Sequence, residues 1–344
     1  MNRRDVLRAA AALGAGLAFG APQRLFAQSK QIVVSNWGGD WNDRTVKYFE
    51  APLLEQKGYK IVHELNTDPQ RRTKIIAEKR LPRGSLDVAH SPIASAYLLN
   101  VNEAIDQIDF SRIPNAADLL EQVKTPYFLP WLYSAWEIVY NPQKIKDAPT
   151  SLADLWNPKY AGRVGVTNQH YGDYIQAASL VATGKPHEFE AAKKKLLELK
   201  AVNKPKVYES HQQIVVGFKN EEIWIACNYR ARALQFQADG LPVEVSFPKE
   251  GAVLQTFGAV IPKRAPNKQD AYVYLNALLD PKALADLCQV NFYSPASNSV
   301  VLPGAIGAKI SHTAEQRKKL FAPDLAYLAK NDAAQLEWWS KAFV

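Results

Sequence analysis

The sequence predicts a two-lobed α/β protein, and three observations carry that prediction. Its 344 residues exceed what one small core organises and suit two units of roughly 100–200 residues. Hydrophobic residues make up 47% of the chain and charged residues 22%, ordinary globular values that exclude a disordered chain or a fibrous repeat. Short β-branched runs alternate with segments of helical period, the pattern of parallel strands joined by right-handed crossovers.

Before that pattern begins, Met1 to Arg8 is charged and Ala9 to Ala21 is apolar. A run of 13 residues at a 1.5 Å rise falls short of a hydrocarbon core about 30 Å thick. The arrangement reads as an export signal cut after Ala27, within Leu25-Phe26-Ala27-Gln28. Arg3-Arg4, with Leu7 following and Arg24 just before the cut, resembles a twin-arginine signal, the alternative being the general secretory route. Gly14-Ala15-Gly16 with Gly20 mimics a nucleotide loop, but no strand precedes it and the spacing is wrong.

Past the signal, Gln31 to Ser35 reads as a strand ended by Trp37-Gly38-Gly39. Residues 41–57 place Val46, Phe49, Leu53 and Leu54 on one helix face, and Gly58 stops it. Tyr59 to Leu65 alternates as a strand, and 69–79 is a polar helix. Leu86 to His90 is the next strand, with Ser91-Pro92 as N-cap and first helical residue of a helix to Leu99. The pattern resumes with a strand at Val164 to Thr167, helices at Gly172 to Ala182 and Phe189 to Leu199, and strands at Ile223 to Cys227 and Val243 to Phe247. Helices at Asn267 to Leu279 and Pro281 to Gln289 follow. Thr125 to Tyr140 and Gln255 to Pro262 are the linker candidates.

Composition narrows the function. The formal charge of +8 invites an acidic polymer as partner. Removing residues 1–27 takes away Arg3, Arg4, Arg8, Arg24 and Asp5 and leaves +5 over 317 residues. Lys193, Lys194 and Lys195 form a solvated helix face rather than a nucleic-acid stripe. The two cysteines, Cys227 and Cys288, read as buried thiols in different lobes. None of the six histidines has another three to five residues away, and neither a nucleophile elbow nor a phosphate loop occurs. No cofactor, metal site or catalytic group is indicated.

Several phrases carry a family resemblance. They are Tyr140-Asn141-Pro142, the run from Ser151 through Trp156-Asn157-Pro158 to Val164, Phe247-Pro248-Lys249-Glu250-Gly251-Ala252, and Ile261-Pro262-Lys263. Together they resemble the extracellular solute-binding proteins of the spermidine/putrescine-binding type, across residues 30–344. The resemblance implies a type II periplasmic-binding-protein fold: two α/β lobes joined by two crossover segments around a central cleft. It assigns 28–134 plus 262–344 to lobe 1 and 135–261 to lobe 2. It implies a monomer in the periplasm, without enzymatic or nucleic-acid-binding activity, that closes on a small solute and delivers it to an inner-membrane permease of an ATP-binding-cassette importer.

Carried over position by position, the resemblance matches Trp37, Ser91 and Tyr293 to ligand-binding positions. The loops at the carboxyl ends of strands add Gly38, Asp40, Gln169, Tyr171 and Asp173, and Asn228, Arg230, Gln255 and Phe257 stand where the family's other ligand-binding residues fall and this chain departs from them. Polyamine binders place two acids after the strand that here ends at Thr167, whereas this chain offers Asn168, Gln169 and Asp173. Where they have Trp and then Asp, it has Gln255 and Phe257. An ammonium without a counter-charge in a closed cleft costs several kcal/mol, about 2 or more. The solute class therefore stays open between a polyamine-like amine and a small organic anion or zwitterion. Arg230, at a helix start, is the candidate anchor for an anion. Trp131, Tyr133 and Trp136 divide between cleft lining and packing at the first crossover. Two alternatives remain: a ferric-iron or other metal binder on the same fold, which lacks the usual paired tyrosines here, and an exported enzyme.

Overall fold

A computed structural model describes residues 30–344, so the export signal and its cleavage near Ala27 lie outside the described residues. The strands are β1 (Lys30–Asn36), β2 (Tyr59–Leu65), β3 (Val88–Pro92), β4 (Leu129–Tyr140), β5 (Gly165–Thr167), β6 (Lys206–Tyr208), β7 (Ile225–Tyr229), β8 (Glu244–Ser246) and β9 (Ala252–Val260). As predicted, β1 pairs in parallel with β2 and β3; β5 pairs in parallel with β6, a strand the sequence did not signal. Strand β9 then enters antiparallel to β3, and β4 antiparallel to β9, giving the order β2-β1-β3-β9-β4.

Strand β4 belongs to two sheets. Its first half pairs with β9, while Trp136 to Tyr140 pair with β7 and Ile138 to Tyr140 with β8. All 12 of its residues are buried, which explains the absence of alternation that made this stretch read as a linker. The two linker candidates thus fall largely within the long strands β4 and β9. At Gly258 a Cβ would sit 2.0 Å from the Leu129 carbonyl oxygen, so only glycine admits β4 beside β9 there.

The helix after β1 follows expectation except in its middle. It starts at Asp40, widens to a π-helical turn at Val46–Glu50, and ends at Gly58, whose φ is 82°. Pro52 has no N–H for the Tyr48 carbonyl and crowds it, a sufficient cause for the wide turn. Ser91 and Pro92 differ from expectation. They are the last residues of β3, held by register with Gly258 and Phe257, and the helix begins at Ile93 with no side-chain cap.

Two large apolar cores form. One gathers Val34, Val88, Leu132, Leu275 and Cys288 around the first sheet. The other gathers Ile138, Val166, Leu196, Ile225 and Cys227. Both thiols are free and buried, one per core. The C-terminal segment departs from the lobe 1 assignment. Leu320 and Phe321 pair beside β9, and the helix Leu325–Trp338 then leads Trp339 and Phe343 into the second core. Trp339 stacks on Tyr174 at 6.1 Å and donates its indole N–H to Asn168 Oδ1 at 2.9 Å. No helix among the described residues is long and apolar enough to cross a membrane.

Where β4 passes from one sheet to the other, it buries a charge. Glu137 is fully buried and grips Arg230 twice: Nε donates to Oε1 at 3.0 Å and Nη2 to Oε2 at 3.0 Å. His312 Nε2 donates to Oε1 at 2.8 Å. Arg230 Nη1 donates to the carbonyls of Lys309 and Ser311 at 2.9 and 3.3 Å. Burial alone would raise the Glu137 pKa, but the Arg230 charge and the His312 bond outweigh it and hold it below the ordinary value. Glu137→Gln leaves the Arg230 charge buried without a counter-ion and should cost about 3–5 kcal/mol in urea unfolding. Because the carboxyl is depressed in the fold, its contribution is present at neutral pH. It should disappear in wild type as pH falls through and below the usual carboxylate range.

Candidate solute-binding cleft

Two cavities lie either side of the start of the helix Arg230–Ala238. The larger, about 550 Å³, is bounded by Pro92 at the end of β3, by Ile93 and Tyr97 from the helix after it, and by residues 169–173 and Gln176 around the start of Tyr171–Thr183. Tyr229, Gln255 of β9, and Leu328 and Asp332 of the C-terminal helix complete it. The smaller, about 320 Å³, is lined by Asp40, Trp41, Arg44, Trp131, Arg232, Asp239, Asn291 and Tyr293.

The larger cavity is acidic: among the described residues its lining holds Asp173 and Asp332 and no lysine or arginine. Asp173 stands in the first turn of its helix, where the dipole favours a carboxylate. Its Oδ2 accepts the Tyr229 hydroxyl at 3.0 Å and lies 3.2 Å from His170 Nδ1, while no partner among the described residues meets its Oδ1. Burial and the Asp173 charge push the Tyr229 hydroxyl well above its usual pKa, so it stays a donor. The Tyr171 hydroxyl donates to Asp332. One helical turn past Asp173, Gln176 is 7% exposed and its Nε2 has no partner.

Between the cavities stands an aromatic cluster. Trp37 meets Trp41 at 4.9 Å and Phe257 at 6.1 Å, and Phe257 meets Tyr293 at 5.4 Å, all edge to face. Arg71, 1% exposed, lies over Trp37 at 4.6 Å and donates to Ser35 Oγ and to the carbonyls of Asn66 and His90. It thereby ties the ends of β1 and β3 beneath the cluster. Trp41 is anchored by a buried chain of bonds. Its indole N–H donates to His90 Nδ1 at 3.3 Å, so Nε2 holds the ring proton and donates to the Tyr274 hydroxyl at 3.0 Å. Tyr274 donates to Glu50 Oε1 at 2.8 Å, and His63 lies 2.7 Å from Oε2.

Of the twelve residues marked from sequence, Gln169, Tyr171, Asp173 and Gln255 line the larger cavity, and Asp40 and Tyr293 the smaller. Trp37 and Phe257 form the cluster between, and Gly38 lies in the exposed loop beside Trp37. Three belong elsewhere. Ser91 is 1% exposed inside β3, its hydroxyl bonded to the Pro92 carbonyl. Asn228 is 2% exposed at the end of β7, with its Oδ1 on the Tyr229 N–H. Arg230 is spent on Glu137 and two carbonyls and lines neither cavity. Trp131 lines the smaller cavity, whereas Tyr133 stacks on His312 and Trp136 packs on Tyr174. The sequence reading missed Trp41, Gln176, Tyr229, Arg232 and Asp332. Gln176, three residues after Asp173, shares its helix face and was findable by that spacing. Among the described residues no group of three or more His, Cys, Asp or Glu is placed to hold a metal ion.

Burial lifts the Glu50 pKa from 4.5 to about 7, against the lowering bond from Tyr274, while burial lowers His63. Burial and the Arg71 charge push His90 down to about 3, so that ring is neutral. The folded state holds the Glu50 proton more tightly than the unfolded chain, so this group's stabilisation is complete at low pH and is lost as pH rises through about 7. Glu50→Gln keeps the Tyr274 bond without the charge. Relative to wild type it should gain about 2–3 kcal/mol between about pH 5 and pH 8, read from paired urea melts.

Comparison with known proteins agrees with this geometry. The family described as bacterial extracellular solute-binding protein matches residues 96–331. The spermidine/putrescine-binding periplasmic protein of Escherichia coli is 25% identical over 264 residues, 72% of this chain and 74% of that protein. A putrescine-binding periplasmic protein of Pseudomonas aeruginosa is 26% identical over 356 aligned positions, 92% of each chain. The crystal structure of an ABC transporter protein from Clostridium perfringens superposes with a TM-score of 0.79 at 22% identity, covering 91% of this chain and all of that one. With two α/β lobes, a cleft at their junction and a family match across most of its length, this chain belongs to the bacterial extracellular solute-binding proteins.

Proposed function

We propose that the chain is the periplasmic solute-capturing subunit of an ATP-binding-cassette importer. It takes up a small amine-bearing solute in the larger cavity by lobe closure and passes it to the membrane permease. One observation carries the choice of an amine: a 550 Å³ cavity that, among the described residues, holds two carboxylates and no basic residue beyond His170. An ammonium at the open Oδ1 of Asp173 forms a charge-assisted bond, and Tyr97, Tyr171 and Tyr229 offer π faces to its charge. The names of the relatives from Escherichia coli and Pseudomonas aeruginosa, which bind spermidine and putrescine, point the same way.

Closure has a natural axis in this reading. Strand β4 pairs with β9 in the first sheet up to Ala135 and with β7 and β8 from Trp136 onward, β9 pairs with β3 over Phe257 to Val260, and Gln255 stands near the crossing. The relatives' periplasmic location supports export, and Arg3-Arg4 supports the twin-arginine route.

A screen of the protein without residues 1–27 should show stabilisation by α,ω-diamines or other amines, following ligand linkage. Asp173→Asn should weaken the best of these about 10- to 100-fold by titration calorimetry, the range for one charged hydrogen bond. A flat screen across amines would overturn the amine reading. For the export reading, changing Arg3 and Arg4 together to lysine should leave the full-length chain in the cytoplasmic fraction with residues 1–27 attached.

A further inference from the structure

The larger cavity lies at the end of β3, where Pro92 lines it. The start of that strand is built differently. The turn before β3, residues 79–86, and the turn after β9, residues 261–269, contain Lys79, Arg80, Arg83, Lys263, Arg264 and Lys268 and no acidic residue. Because β9 runs antiparallel to β3, both turns meet at this pole. They are bonded to each other: the Gly84 N–H donates to the Arg264 carbonyl at 2.7 Å, and Arg264 Nε donates to the Lys79 carbonyl at 3.2 Å. Lys263 and Lys268 share Asp106, and Lys79 Nζ donates to the Asn102 carbonyl. Glu78, the acid nearest Arg80 in sequence, is taken by Ser85 and Lys74. Among the described residues Arg80, Arg83 and Arg264 have no carboxylate partner, and all three are exposed.

Apolar side chains stand among these charges rather than beneath them. Leu81, between the two arginines, is 47% exposed, and Val101, next to the Asn102 that Lys79 holds, is 53% exposed. An aliphatic tip ringed by unpaired guanidiniums complements a surface that is anionic at its headgroups and apolar just below them. A guanidinium also matches phosphate oxygens two at a time.

We propose that this pole is a docking surface for an anionic phospholipid bilayer, with Arg80, Arg83 and Arg264 on the phosphates and Leu81 entering the headgroup boundary. Where the chain enters the structure supports this occupant independently. Strand β1 runs parallel to β3, so it starts at the same pole, and Asn267 Nδ2 of the second turn donates to the Gln31 carbonyl at 3.2 Å. Lys30, the first described residue, stands three positions after Ala27, where the export reading places the cut. Three residues of chain reach at most about 11 Å, so a membrane that holds the uncut signal lies within reach of this pole. The cavity, at the other end of β3, is left facing away from the bilayer. This contact goes beyond solute capture and does not depend on which solute the cavity takes.

The test is sedimentation of the chain beginning at Gln28, which keeps every described residue, with vesicles of phosphatidylcholine alone or mixed with an equal part of phosphatidylglycerol. The expected result is binding to the mixed vesicles at low salt, none to phosphatidylcholine, and release at about 0.5 M salt, where screening leaves only a few ångströms of reach. A cation near such a surface contributes about fivefold in affinity, so Arg80→Gln combined with Arg83→Gln should weaken binding at least about 10-fold. Neither side chain has a partner in the fold to lose, so urea unfolding of this variant should match wild type. Leu81→Ser should weaken binding about 5-fold. Lys193, Lys194 and Lys195, on the helix Phe189–Asn203, serve as the control: changing all three to glutamine removes more charge and should alter binding less than about 2-fold. A loss in that control equal to the arginine variant's would overturn the docking surface, because net charge alone would then carry the binding. Failure to sediment with the mixed vesicles, or equal binding to phosphatidylcholine alone, would overturn it as well. Each of these outcomes leaves the amine reading of the cavity untouched.

Discussion

The structure turns on a carboxylate buried in the middle of a strand. Glu137 sits where β4 leaves one sheet and joins the other, and it binds Arg230 from the second lobe's helix and His312 from the segment packed on the first. A lone carboxylate there would be untenable, so the three groups form together or not at all. The bidentate geometry fixes the angle at which the helix Arg230–Ala238 leaves β7. That angle in turn sets Tyr229 on one side of the junction and Arg232 on the other. The placement of both cavities therefore follows from one buried ion pair that touches neither.

The cleft's polar chemistry is sorted by lobe edge. Carboxylates without arginines collect where the helix Tyr171–Thr183 begins, whereas Asp40 and Asp239 share the space with Arg44 and Arg232 where the helices at Asp40 and Arg230 face each other. Aromatic rings occupy the stretch between, and a buried network of His90, Tyr274 and Glu50 holds one of them from behind. Burial keeps the His90 ring neutral and raises the Glu50 carboxyl to about 7, so the network orients Trp41 while carrying less charge behind the cleft than an ordinary carboxylate would.

Much of the fold was legible in the sequence because periodicity and punctuation agreed. Gly58 ended a helix, β1 to β3 alternated with helices, and the two cysteines separated into two cores. What failed was long-range. Strand β4 is buried along its whole length, so its apolar run carried no strand signature. Ser91 and Pro92 have the local chemistry of a helix start, but pairing with β9 draws them into the sheet. Half of the marked site residues do line the cavities, and two more stand between them. Arg230 was misplaced because a position on a helix start does not reveal a partner such as Glu137, 93 residues away. Asp332 and Leu328 were invisible because nothing local announces that the C-terminal helix crosses over.

That crossing has a consequence for synthesis. The second core contains Trp339 and Phe343 alongside residues such as Ile138 and Val166, encoded roughly two hundred codons earlier. Its apolar face stays open until residue 343 has been made, so this lobe cannot finish folding before then. The first core also depends on late sequence, since Leu275, Leu284, Cys288 and Leu320 complete it. Its last members precede Phe343 in the chain, so the first core can close ahead of the second.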